Sequence, residues 1–350
     1  MTLLKLHNLV KHFGGRAVVD DVSFDLEAGE FLSILGKSGS GKTTLLRLIA
    51  GFERVDSGEI VLDNKVISSA QTHVPTEKRD IGIVFQDHAL WPHMTIFDNV
   101  AFPLKVRKMA SSNIQKAVME ALTLIEMQDF ARGYPHQLSG GEAQRVALAR
   151  SLVQKPKLII FDEPLASLDA VLRYDLQTLI KTLHHKHNLT CIYITHDQTE
   201  AMRLSDRIVI LENGKILQLD KPEAIYRSPA TASIARLIGQ GVSIPVSIEK
   251  SDDVYADVRF LECTFSVRAK GRTSNTQGLV CVRSNDITVS EDAGPIKAVV
   301  HDCSYIGGAY QIELKLEKAP SIYLRKKVDA FFEKGTPLFL TLRSGWLMVE

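Results

Sequence analysis

Gly29 to Leu35 reads GEFLSIL, and Gly36 to Gly51 continues at once as GKSGSGKTTLLRLIAG. A short apolar strand runs into a glycine-rich turn and then into an apolar helix that stops at Gly51, which is the opening of an α/β unit. Further apolar runs at Leu158–Phe161 (LIIF), Cys191–Thr195 (CIYIT) and Ile208–Leu211 (IVIL) have helical stretches between them. Runs without polar alternation suit strands buried between helices in a mostly parallel sheet.

Outward from that frame the texture changes twice. Residues 95–155 turn helical: SSNIQKAVMEALTLIEM (111–127) carries apolar residues at three- and four-residue spacing, with Ser112 as the expected N-cap. A helical subdomain over about 88–155 is therefore expected inside the α/β domain. From about residue 240 the pattern alternates, as in VYADVRF (254–260), GLVCV (278–282), IKAVV (296–300), QIELKLE (311–317) and LFLTL (338–342). That predicts a small β-barrel or sandwich. The expected division is an α/β domain over 1–238 and a β-rich domain over 239–350.

At roughly 100 to 200 residues per domain, a chain of 350 residues supplies two or three domains. Hydrophobic residues make up 45% and charged residues 24%, and 42 Lys plus Arg against 41 Asp plus Glu leave a net charge of +1. No overall basic field points to nucleic acid or anionic lipid. Cys191, Cys263, Cys281 and Cys303 stand 72, 18 and 22 residues apart, without zinc-site or disulfide clustering, so a reducing cytoplasm is expected. The opening MTLLKLHNLVKHF meets Lys5 early and lacks a secretory h-region. Apolar runs fall far below the ~18 residues that span a bilayer, so a membrane role is expected to go through a partner.

Gly36-Lys37-Ser38-Gly39-Ser40-Gly41-Lys42-Thr43 matches G-x-x-x-x-G-K-[ST] in the strand-to-helix context that motif needs. Backbone N–H groups turned inward and a helix N-terminus suit phosphate oxygens, Lys42 reaches the β and γ phosphates, and the Thr43 hydroxyl suits Mg²⁺. LIIFDEP (158–164) puts Asp162 and Glu163 at the carboxyl end of a buried strand, where open α/β sheets bind ligands. Asp162 is expected to hold Mg²⁺ and Glu163 to polarise the attacking water. YPHQLSGGEAQR (134–145) leads into a helix with Ser139 as N-cap candidate and two bare glycines. A second anion site is expected here, suited to the nucleotide of another subunit because the first nucleotide already has its cradle. His184, His185 and His187 read as a solvated helix end.

LSGGE about one hundred residues after the phosphate loop and just before LIIFDEP resembles the ATP-binding cassette (ABC) ATPases. By the same resemblance Gln86 stands in the Q-loop and is a further Mg²⁺ ligand, Ser167-Leu168-Asp169 forms the D-loop, and His196 is the switch histidine near the γ-phosphate. Phe13 stands 23 residues before Gly36, where the family stacks an aromatic on adenine. The implied catalytic set is Glu163, His196, Gln86 and Asp169. The implied ATP-binding set is Phe13, Gly36, Lys37, Ser38, Gly39, Ser40, Gly41, Lys42, Thr43, Thr44, Ser139, Gly140, Gly141 and Glu142, with Thr43, Gln86 and Asp162 on Mg²⁺. The chain departs from its relatives at Lys37 and at Glu142-Ala143, where Gln-Gln is commoner. Trp91 falls in the segment resembling the docking surface for a permease.

What the family implies is a P-loop NTPase fold and a head-to-tail homodimer that closes on two ATP and opens after hydrolysis. Residues 51–138 hold no sustained heptads and each motif occurs once, unlike the repair and translation branches, so nucleic acid is not an expected partner. The tail resembles importer ATPases ending in an oligonucleotide-fold-like (TOBE) domain. The expected partners are integral membrane permease subunits and, indirectly, a periplasmic or extracellular substrate-binding protein, with the chain peripheral on the cytoplasmic face of the inner membrane. ISSAQTHVPTEKRDIG (67–82) and LIGQG (237–241) are nearest the ferric-iron importer group, with phosphonate, polyamine and sugar importers as alternatives, and a soluble nucleic-acid ATPase as the competing class.

Overall fold

The computed structural model describes residues 1–349 and divides into two compact units, one of residues 1–222 and one beginning at Glu223. In chain order the first unit runs β1 (Thr2–Phe13), β2 (Arg16–Glu27), β3 (Phe31–Leu35), α1 (Lys42–Ala50), β4 (Ser57–Leu62), β5 (Lys65–Ser69), β6 (Ile81–Val84) and α2 (Ile96–Val106). It continues α3 (Ser111–Leu124), α4 (Gly140–Leu152), β7 (Leu158–Asp162), α5 (Ala170–His187), β8 (Cys191–Thr195), α6 (Gln198–Leu204), β9 (Arg207–Glu212) and β10 (Lys215–Asp220).

The central sheet has the order β10-β9-β3-β8-β7-β6, parallel except for β10, which pairs antiparallel at one edge. Every residue of β3 and β8 is buried, as expected for strands covered on both faces. A second, antiparallel sheet β2-β1-β4-β5 shares a core with α1 and one face of the central sheet, through Leu4, Leu6, Ile34, Leu45, Leu48 and Ile160. The other face packs on the helices through Phe31, Val100, Val118, Val146 and Phe161. Arg79, 1% exposed, closes the end of α1 by donating to the Leu48 and Ile49 carbonyls at 2.7 and 2.8 Å.

One local expectation changes. Ser112 does not cap α3: the helix starts at Ser111 after Ala110, without a side-chain cap. Here the chain enters the helix through Lys108 at φ +56°. The Ser139 cap of α4 is present.

The second unit takes α7 (Pro222–Arg227), α8 (Ala232–Leu237), β11 (Val242–Ser251), β12 (Tyr255–Phe260), β13 (Cys263–Arg268), β14 (Gln277–Val282), β15 (Ile287–Ser290), β16 (Ile296–Tyr305), β17 (Tyr310–Leu316), β18 (Tyr323–Val328), β19 (Pro337–Leu342) and β20 (Trp346–Met348). Strands β11-β12-β13-β20-β14 close a barrel, and β15-β19-β16-β17-β18 form a five-stranded sheet. The division falls earlier than the expected 238/239. Residues 223–238 pack with the barrel, because Ala235 clusters with Cys281 and Met348. The Arg283 guanidinium lies 4.2 Å from the Tyr226 ring and donates to the Ile238 carbonyl at 3.2 Å. All four cysteines are free. Among the described residues no helix is long and apolar enough to cross a membrane.

Candidate active site

Parallel register delivers the sequence motifs to one edge of the sheet. Leu35 pairs with Thr195, Asp162 with Ile194 and Val84 with Phe161. Gly36, His196, Glu163 and Gln86 therefore follow the carboxyl ends of the adjacent strands β3, β8, β7 and β6, where such sheets bind ligands.

The phosphate loop is shaped by backbone crowding. A Cβ at Gly36 would collide with the Leu211 carbonyl and one at Gly41 with the Val18 carbonyl, and Gly41 adopts φ +106°. Only glycine combines that conformation with that approach. Lys37, Ser38 and Gly39 are exposed, whereas Ser40 is buried and its Oγ has no hydrogen-bond partner. Lys42 is 5% exposed, and its Nζ donates to the Gly36 and Lys37 carbonyls at 2.7 and 3.1 Å. Burial lowers the Lys42 pKa, while Glu163 and Asp162 oppose that shift. A partnerless buried hydroxyl and, two residues on, an ammonium held by loop carbonyls fit an arriving phosphate. Thr43 is exposed and Thr44 half-buried in the first turn of α1.

Asp162 closes β7 half-buried, its pKa raised by burial and then by Glu163, with Arg47 and Lys42 opposing. Glu163 follows in the left-handed region at φ +45°, and its N–H donates to the Ile194 carbonyl at 3.0 Å. Its Oε2 lies 2.9 Å from His196 Nδ1. In this state the histidine is paired with the carboxylate. Glu200, missed in the sequence, braces this corner: it is buried and accepts from Thr195 Oγ1 at 2.7 Å and Tyr193 Oη at 2.9 Å. Burial raises its pKa first of all. The only signal was an acid in the first turn after His196. Gln86 is exposed.

Ser139 and Gly140 are exposed at the start of α4. Leu168 and Leu172 lie 3.3 Å from where Cβ atoms of Gly140 and Gly141 would stand, so the turn rests on the segment around Asp169. Two residues of the expected sets, Glu142 and Asp169, cap helices in this chain. Glu142 closes a capping box, accepting from Ser139 N at 2.8 Å and Ser139 Oγ at 2.7 Å, and these bonds lower its pKa. Asp169 caps α5, accepting from Val171 N and Leu172 N at 3.0 Å each. Both carboxylates satisfy helix N–H groups that would otherwise lack partners.

Phe13 lies at the surface, 47% exposed, with Lys11 Nζ 5.3 Å from its ring centroid. Trp91 is half-buried. His184 departs from the solvated-end reading: it is buried, with Nδ1 2.8 Å from the Leu189 carbonyl and its ring edge-on to Phe31. Among the described residues, no group of three or more His, Cys, Asp or Glu is placed to hold a metal ion.

Residues 19–166 match the ABC transporter family and residues 280–349 the TOBE domain. The spermidine/putrescine import ATP-binding protein PotA of Marinobacter nauticus is 40% identical over 344 residues, 97% of this chain and 90% of that protein. PotA of Escherichia coli K12 is 40% identical over 345 residues, 96% and 89%. Among solved structures, the dimeric MJ0796 bacterial ABC transporter cassette aligns with a TM-score of 0.56 at 34% identity, covering 63% of this chain and 99% of that one. The cbiO1 subunit from Clostridium perfringens aligns at 0.60 and 28%, covering 67% and 93%. Both relatives are named for spermidine and putrescine, the polyamine alternative, and not for ferric iron. The chain belongs to the ABC transporter ATPases, in the importer type that joins a P-loop cassette to a C-terminal TOBE domain.

Proposed function

We propose that this chain is the motor of a polyamine importer. Two copies meet head to tail, and each ATP is held between the Lys42 loop of one copy and Ser139, Gly140 and Gly141 of the other. The observation that carries this reading is the pairing of a bare, buried phosphate cradle with an exposed Ser139 turn on a separate helix. A ligand bridging two surfaces favours the closed pair only through contacts unavailable when they are apart.

Lys42 turns from the loop carbonyls to the phosphates, Ser40 Oγ gains its missing partner, and Phe13 stacks on the base. Thr43, Asp162 and Gln86 are suited to Mg²⁺, which when bound draws negative charge off the phosphate oxygens. Glu163 takes the proton of the attacking water, and His196 holds that carboxylate in place until the nucleotide arrives. The chain sits on the cytoplasmic face of the membrane against permease subunits, with a substrate-binding protein on the far side. The groove beside Trp91 receives the permease. The cargo assignment is supported by the two PotA relatives, which align over nearly the whole chain.

Mixing two dead variants tests the shared site. Lys42→Ala and Ser139→Arg should each lack turnover alone, yet a mixture forms heterodimers with one intact composite site and regains phosphate release. Failure to complement, with both proteins folded, overturns the head-to-tail motor. The cargo is tested separately by uptake of labelled spermidine and putrescine in cells lacking the chain. Uptake that persists sinks the polyamine assignment and leaves the motor standing.

A further inference from the structure

Gln86 is followed by Asp87, His88, Ala89, Leu90 and Trp91. His88 and Ala89 both lie in the left-handed region, at φ +60° and +47°. Consecutive side-chain-bearing residues persist there only where their surroundings hold them. The hold comes from α4, the helix headed by Ser139. Arg150, 9% exposed, donates from Nη2 to the His88 carbonyl at 2.8 Å and from Nη1 to the Ala89 carbonyl. Gln144, on the same helix and 2% exposed, hydrogen-bonds the His88 ring.

The same guanidinium lies 5.2 Å from the Trp91 ring centroid, and Trp91 packs on Phe102 with centroids 4.3 Å apart. Buried Asn99 fixes both backbone groups of Trp91, accepting from its N–H at 2.8 Å and donating to its carbonyl at 3.1 Å. Phe85, Trp91, Phe102 and Val106 line a groove of about 350 Å³ that also reaches Ala89 and Arg150. A buried guanidinium keeps its charge and needs acceptors. Its acceptors here are the carbonyls of the strained turn, so α4 cannot shift without moving the turn or leaving a buried cation short of partners.

We propose that Arg150 is a positioning residue that fastens the turn at 87–89, and with it Gln86 and the Trp91 groove, to the helix headed by Ser139. Closure of the nucleotide site then moves the groove, and occupation of the groove moves Gln86. This rests on the ATP-driven closure proposed for the dimer.

Trp91 is itself the reporter, because Trp346→Phe leaves it as the single tryptophan of the full chain. In a Trp346→Phe, Glu163→Gln background, ATP with Mg²⁺ should shift Trp91 emission over the concentrations that form dimer in size-exclusion chromatography. Arg150→Met should leave ATP affinity and dimer formation unchanged but cut the Trp91 response by about 2- to 30-fold. Arg150→Lys keeps the charge without the planar fork, so its response should fall between; it decides the matter if the methionine variant does not fold. An undiminished response in the variant that folds overturns the proposal, as does dimer formation without any Trp91 response when Arg150 is intact. A parent that forms no dimer with ATP sinks the closure reading instead.

Discussion

Helices α1 and α4 both begin at glycine-rich turns, yet their first turns are finished differently. Gly41 heads α1 in the left-handed conformation with no side-chain cap and no acid in the first turn. Ser139 heads α4 with a complete capping box closed by Glu142. The first start keeps its N–H groups free inside a loop clamped by the Leu211 and Val18 carbonyls, a preformed anion cradle. The second lies at the surface with the Ser139 N–H, the Ser139 hydroxyl and the Glu142 N–H already partnered inside the chain. The difference teaches where binding begins and where closure is decided: the Lys42 loop is ready for nucleotide, whereas the Ser139 turn has to exchange an internal partner for an external one.

The largest effect should come from separating chemistry from grip. Glu163→Gln removes the proposed base while leaving both helix starts intact, so phosphate release should fall by about 10²- to 10⁴-fold. The ATP-driven dimer should persist and become easier to trap. A variant that turns over at the wild-type rate in a purified phosphate-release assay breaks the division between cradle and base.

A smaller change sharpens the cradle itself. Phe13 is exposed, with Lys11 beside its ring, so its removal disturbs little of the core. Phe13→Ala should weaken ATP binding by about 2- to 10-fold, the value of one aromatic stack. Calorimetry of the isolated chain measures this, and unchanged affinity removes Phe13 from the site.

What could be read in advance follows the physics of each element. The strands β3, β7, β8 and β9 were legible because continuous apolar runs admit few alternatives, and the phosphate loop because its glycines are demanded by backbone collisions. The sheet containing β1 was not. Its inward residues Leu4 and Leu6 are followed by Leu9, with register shifts around Asn8 at φ +46°, so a period of two is lost on inspection. Residues 223–238 looked continuous with the cassette, since only tertiary packing of Ala235 against Cys281 assigns them to the barrel. Glu142 carries two readings at the site. Its place in the motif pointed to nucleotide, while its chemistry, an anion three residues after a serine cap, pointed to the helix's own N–H groups.

Those two readings yield the finest test of the comparison. The Ser139 bonds hold Glu142 below the usual carboxylate range, so at neutral pH its charge stands beside the turn that has to receive a phosphate. Glu142→Gln keeps the length and an amide oxygen for the Ser139 N–H but drops the charge. The ATP-driven dimer, measured by dilution in the Glu163→Gln background, should tighten by about 2- to 5-fold, with a small loss in thermal stability as α4 gives up its capping carboxylate. The gain should shrink at high salt, because the repulsion it relieves is partly exposed and screened. A looser dimer would mean that Glu142 contributes a favourable contact across the closed site, and the Ser139 turn would then differ from the Lys42 loop in exposure alone.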